Sequence, residues 1–161
     1  NKIDMEAKIG LPKKDLTKSI DHLTIVLANE MILYVKTRKF HWNISGNSFM
    51  ELHKLFEMHY DLLAKTADEV AERISGLGGK AIGSMKDFLK HSELQENTKE
   101  SNTQKQMLDE LIEDHQIVMV NIRKAIDEIG DKTDDVVTED FLTDILKMHE
   151  NISWQLTKYS N

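Results

Sequence analysis

The sequence predicts an all-α domain, a four-helix bundle with a short extra helix in the crossover between the second and third helices. Three observations lead there. Only 1 Pro and 7 Gly occur in 161 residues, whereas Leu, Met, Lys and Glu are plentiful, a composition that favours helices over strands. Four long segments repeat apolar residues at helical spacing. Between the second and third of them lies a long aperiodic connection, residues 76–102, of the kind that joins two helix pairs side by side. The chain has the length of one domain, read as an N-terminal arm over 1–14 and a bundle over 15–161.

The first helix is expected from about 15 to 42. Leu16, Ile20, Leu23, Leu27, Met31 and Tyr34 form its apolar stripe, and Asp15 is placed to cap it behind Pro12. A turn at Asn43 to Asn47 follows, and Ser48 with Glu51 has the capping-box pattern of a helix start. The second helix carries Leu52, Phe56, His59, Leu63, Val70 and Ile74 until glycines at 76, 78 and 79 stop it. In the crossover, Ile82, Met85, Phe88 and Leu89 suggest the short helix. Thr103 and Gln106 repeat the capping box and open a third helix, with Leu108, Leu111, His115, Val118, Ile122, Ala125 and Ile129, which Gly130 is expected to end. After the acidic stretch Asp131 to Asp135, Phe141, Ile145, Met148, Ile152, Leu156 and Tyr159 mark the fourth.

Charge and composition narrow the function. With 28 acidic and 21 basic residues the net charge is −7, which opposes binding to nucleic acid or an anionic membrane. There is no Cys, hence no disulfide framework, thiolate metal site or cysteine nucleophile. The most apolar stretch, Leu23 to Val35, is interrupted by Asn29 and Glu30, so no membrane span is expected, and the chain reads as cytoplasmic.

Chemistry concentrates in residues 40–57, FHWNISGNSFMELHKLFE, where His41 precedes a turn, His53 opens the next helix and Glu57 lies one turn beyond. Alone, the His53 and Glu57 pair is uninformative: about two His/acid pairs at this spacing arise by chance. Two occur, the other being Asp87 with His91. Asp68 and Glu72 add weight, because they lie one turn apart on nearly the same stripe, Asp68 falling within about 20° of Glu57. Asp68 is also about 16 Å along the axis from Glu57, too far for one metal to be shared within one chain. Yet His53 and Glu72 are placed symmetrically about a point midway between residues 62 and 63, and so are Glu57 and Asp68.

Two copies of this helix, antiparallel about a two-fold axis at that point, would set His53 of one against Glu72 of the other and Glu57 against Asp68. The ligand set then closes only between subunits, with two equivalent sites about 22 Å apart. Tyr60 and Ala64 lie near the middle of the stripe, and Ala64 lets the backbones approach. The turn returns His41 to the same end as His53. Two imidazoles with three carboxylates suit Fe(II) or Mn(II) and accept Zn(II), and so few protein ligands leave positions open for an oxidant. The Glu-x-x-His pattern of a site inside one bundle is absent, since no His has Glu three residues before it.

The run from His41 to Arg73, with HWNISGNSFMELH, Glu57, Tyr60 and DEVAER, closely resembles the Dps family, the mini-ferritins or DNA-binding proteins from starved cells, and the helical layout matches along nearly the whole chain. The resemblance implies a ferritin-like fold and a hollow dodecamer with dinuclear ferroxidase sites at two-fold interfaces. His41, His53 and Glu57 would come from one subunit and Asp68 and Glu72 from its neighbour; many relatives have Asp where this chain has Glu57. It further implies oxidation of Fe2+ to Fe3+, preferably by hydrogen peroxide, storage of ferric oxyhydroxide in the cavity and protection against oxidative stress. Trp42 and Trp154 stand where the family often has tryptophan near the site, as electron donors, although Trp also suits plain interface packing. Asp131, Asp135, Asp140 and Asp144 fall in the region that lines three-fold pores in the family, Asp140 foremost. Early acids also complement a helix dipole.

The remaining histidines are read as structural: His59 and His115 as hydrogen-bonded packing residues, with no constellation around His22, His91 or His149. GLGGKAIG is a helix stop rather than a phosphate loop. Two rival functions stand beside iron oxidation. Compaction of DNA would need a basic arm, and residues 1–14 hold Lys2, Lys8, Lys13 and Lys14 against Asp4 and Glu6, so no appreciable DNA binding is expected at physiological salt. A purely structural helical assembly would have to bury acid pairs with few cations, at a cost of several kcal/mol per ion.

Overall fold

The computed structural model describes residues 7–160, so Lys2, Asp4 and Glu6 of the arm lie outside the described residues. The chain forms α1 (Lys13–Asn43), α2 (Phe49–Gly76), α3 (Met85–His91), α4 (Gln104–Lys132) and α5 (Val136–Ser160), with no strand among the described residues. α1 packs along α2 and α4 along α5; α1 against α4 joins the two pairs, and α3 docks on α1. The all-α bundle with a short crossover helix is therefore the observed fold.

Helix ends show which local signals act. Thr103 caps α4 as expected: its Oγ1 accepts the Gln106 N–H at 3.2 Å, and the Gln106 side chain accepts the Thr103 N–H at 2.8 Å. The box expected at Ser48 and Glu51 does not form. Ser48 has φ −101° and ψ 28°, not the extended geometry a capping side chain needs, and the Phe49 N–H donates to Gly46 O instead. Asp15 does not cap α1 either, because Pro12 takes that place. Its buried carboxylate accepts the Asp134 N–H at 3.0 Å and ties the start of α1 to the α4–α5 link.

α2 ends as predicted: Gly78 adopts φ +81° and the Gly79 N–H donates to Ile74 O, closing the last turn. A side chain at Gly79 would meet Ile20 Cδ1 at 2.9 Å, so glycine lets the crossover press on α1. Gly130 does not stop α4. The helix continues to Lys132, and Thr133 ends it, its N–H and Oγ1 both donating to Ile129 O. Asp135 then caps α5 by accepting the Thr138 N–H at 3.1 Å and Oγ1–H at 2.6 Å.

Leu23, Leu33, Phe56, Leu63, Val118, Ile122, Leu142 and Leu156 meet in the middle, each almost fully buried, and each contributes about 1.5–3 kcal/mol by leaving water. The two polar residues that interrupt the apolar run of α1 are also buried, and both are used. Asn29 Oδ1 accepts Ser92 Oγ–H and the Glu93 N–H, each at 2.9 Å, and so pins the crossover after α3. Glu30 Oε1 lies 2.6 Å from His149 Nε2, and His149 Nδ1 lies 2.8 Å from His115 Nδ1.

All three of these residues are at most 1 % exposed. The expectation that His149 stands alone is thus corrected: it links α1, α4 and α5 through the core. His59 and His115 are buried as expected, His59 Nε2 lying 2.8 Å from Gln155 Oε1. Burial holds the His115 imidazole well below the usual histidine range, reinforced by the charges of His149 and His59.

Candidate metal centre

The last turn of α1 and the first turns of α2 meet across the five residues between the helices, so His41 and His53 face one another. Their rings stack with centroids 3.8 Å apart and planes 17° from parallel. His41 Nδ1 lies 2.7 Å from the backbone oxygen of His53, and His53 Nδ1 lies 2.9 Å from that of His41. A carbonyl oxygen only accepts, so each Nδ1 carries the proton and donates it. In the neutral rings Nε2 is then left unprotonated, with its lone pair on the far side from the backbone, the form that binds a metal.

A row of flat groups holds this pair on both sides. Phe49 lies against His53, with centroids 5.1 Å apart. On the other side Tyr60 meets His41 edge-to-face at 5.2 Å, with an interplanar angle of 82°. Desolvation and the Glu57 carboxylate push the Tyr60 phenol above the ordinary tyrosine range. The Arg38 guanidinium lies 4.5 Å from the Tyr60 ring centroid, 5.5 Å from Tyr34 and 5.2 Å from Trp42, and Arg38 Nη1 donates to Tyr34 Oη at 2.9 Å.

Glu57, Asp68 and Glu72 all lie on the exposed side of α2. Neither Asp68 nor Glu72 takes part in a salt bridge among the described residues, although Lys65 pairs with Glu69 and Arg73 with Asp135 on the same helix. Among the described residues no three His, Asp or Glu side chains of the single chain converge on one metal position. The histidines are brought together; Asp68 and Glu72 stay at the opposite end of α2.

Trp42 is 64 % and Trp154 60 % exposed. Trp154 lines a shallow groove with Met58, Leu62 and Met148, away from the histidine pair. Of the acids around the start of α5, Asp131, Asp140 and Asp144 are exposed, whereas Asp135 is buried and engaged by Thr138 and Arg73. Burial alone would raise the Asp135 pKa, but hydrogen bonds from Thr138 and the Arg73 charge help to outweigh it and hold the carboxyl below its usual range. The reading of the histidine site omitted Arg38, Tyr34 and Phe49. Arg38, Trp42 and Tyr34 at i, i+4 and i−4 on α1 were the signal for part of that cluster.

This fold is that of a ferritin-like protein, and the ferritin-like domain family matches residues 20–161. Within that family the chain belongs to the Dps proteins. It is 36 % identical to the DNA protection during starvation protein of Porphyromonas gingivalis, over 94 % of each chain. A low-temperature-induced protein of Nostoc is 38 % identical over 94 % of this chain and 84 % of its own. The solved structure of the Dps protein of Vibrio cholerae, a member of a broad superfamily of ferritin-like diiron-carboxylate proteins, superposes with a TM-score of 0.89 at 30 % identity over 98 % of both chains. No helix among the described residues is long and apolar enough to cross a membrane.

Proposed function

We propose that the chain is an iron-storage and detoxification protein that oxidises Fe2+ at dinuclear sites shared between two subunits and keeps the ferric product in the cavity of a dodecamer. The observation that carries this reading is the reciprocal bonding of His41 and His53. Each ring gives its Nδ1 proton to the other residue's carbonyl, so two Nε2 donors are aligned before any metal arrives. Glu57 stands one turn beyond His53, and Asp68 and Glu72 of a second, antiparallel copy of α2 complete the set. Hydrogen peroxide is the preferred oxidant. Two Fe2+ ions give one electron each to one hydrogen peroxide, whose O–O bond breaks to leave two hydroxides, so no hydroxyl radical is released. Mn2+ and Zn2+ fit the same donors.

Lone-pair nitrogens and carboxylates gather the substrate ions, and the carboxylates neutralise part of their charge. The exposed acids Asp131, Asp140 and Asp144 concentrate cations at the entrance, with Asp140 the leading pore residue. DNA is not a partner at physiological salt, given the net charge of −7 per chain. The test is anaerobic titration of the assembled protein with Fe2+, followed by peroxide. Saturation at one dinuclear site per subunit, ferric absorbance on peroxide addition and a particle of twelve chains support the reading. Absence of stoichiometric Fe2+ binding contradicts it.

A further inference from the structure

Beyond the ligands, the row that runs from Phe49 through His53, His41 and Tyr60 to Arg38 has a mechanical logic. Among the described residues the two imidazoles bond only to backbone oxygens through Nδ1, so no other polar contact there fixes their tilt about those bonds. Ring contacts must do so. On the Phe49 side the row ends at a ring that is 39 % exposed. On the other side it ends at a cation. Among the described residues Arg38 makes one side-chain hydrogen bond, to Tyr34, and its buried Nε has no hydrogen-bond partner. The guanidinium is therefore held mainly by the aromatic rings around it, an arrangement suited to fixing ring planes rather than to pairing with a carboxylate.

We infer that Arg38 and Tyr60 are positioning residues of the metal centre: Arg38 sets the plane of Tyr60, and the edge-to-face contact of Tyr60 sets the tilt of His41 and with it the direction of both Nε2 lone pairs. This inference rests on the proposed metal site. Neither residue needs to touch the metal. The Tyr60 contribution is the ring, so its hydroxyl is dispensable here, whereas Arg38 acts through a flat cation that Lys reproduces only in part.

The test uses Co2+ as a spectroscopic probe on the full-length assembled protein. The affinity is read from visible absorption, and the shape of the d–d bands reports ligand geometry. Arg38→Met and Tyr60→Ala are expected to weaken Co2+ binding about tenfold and to alter the band shape, the scale found for partners that orient metal ligands. Tyr60→Phe should keep both at the wild-type value, and Arg38→Lys should fall between wild type and Arg38→Met. Particle size and helical content, measured alongside, should not change. If Arg38→Met and Tyr60→Ala bind Co2+ like wild type while His41→Ala abolishes binding, the positioning role is overturned and the metal site stands. If His41→Ala binds as wild type does, the metal site itself is overturned.

Discussion

His149 and Glu30 are 119 residues apart in the chain and 2.6 Å apart in the fold, with both side chains fully buried. His115 extends the contact, its Nδ1 2.8 Å from that of His149. Two nitrogens at that distance hold one proton between them, and burial disfavours a second proton on His115.

Acid should therefore unfold the bundle through His115. Burial keeps its folded pKa well below that of an unfolded histidine, which is about 6.5. Below that value the unfolded chain binds more protons, so stability is fully present above about pH 6.5 and falls as the pH drops toward the folded pKa. Urea midpoints between about pH 7.5 and pH 5 measure this. His115→Gln should flatten the profile; an unchanged slope would assign the acid sensitivity elsewhere. Glu30→Ala, which leaves buried His149 Nε2 without its partner, is expected to cost about 1–3 kcal/mol at neutral pH.

Asp135 holds two elements at once, capping α5 and pairing with Arg73 of α2 at 2.9 Å. Asp135→Ala should lower the unfolding free energy by about 2–4 kcal/mol, while Asp135→Asn, which can still accept the Thr138 N–H, should lose less. Calorimetry on the two variants separates cap from charge. Equal losses would mean that the ion pair dominates.

His41 and His53 are expected to matter far more for chemistry than for stability. Removing either ring by substitution with Ala forfeits one reciprocal hydrogen bond, about 1 kcal/mol. Ferrous oxidation should slow by at least about tenfold to a hundredfold. Stopped-flow absorbance with peroxide, on particles shown to be assembled, gives the rate. A wild-type rate in His53→Ala would exclude the pair as ligands.

The helices were legible because each long stripe repeats at helical period, and the glycines at 78 and 79 act as local stops that need no tertiary context. Ser48 and Gly130 misled for the opposite reason. Identical local patterns at Thr103 and Ser48 give a bonded box in one place and none in the other, because backbone geometry at the α1–α2 turn is set by the packing of two long helices. The histidine pair could be suspected from the turn between 41 and 53, but its reciprocal bonds to backbone oxygens leave no trace in residue identity. Tyr34 and Trp42 one turn either side of Arg38 signal part of its aromatic cluster, but Tyr60 arrives from another helix and leaves no local trace. Glu30 offered the clearest missed signal, an acid inside the most apolar stretch of the chain. Its partner is His149, which His115 joins in turn, and no local pattern links the three.

The shared site is tested most directly by complementation between two inactive chains. In a mixed dimer of His53→Ala and Glu72→Gln subunits, one two-fold site carries both defects and the other carries neither. Random co-assembly of equal amounts should therefore restore about a quarter of the wild-type ferrous oxidation rate, because half of the dimers are mixed and each has one intact site. If the co-assembled particles stay as inactive as either parent, residues 53 and 72 do not meet across subunits, and the account of the metal centre is wrong.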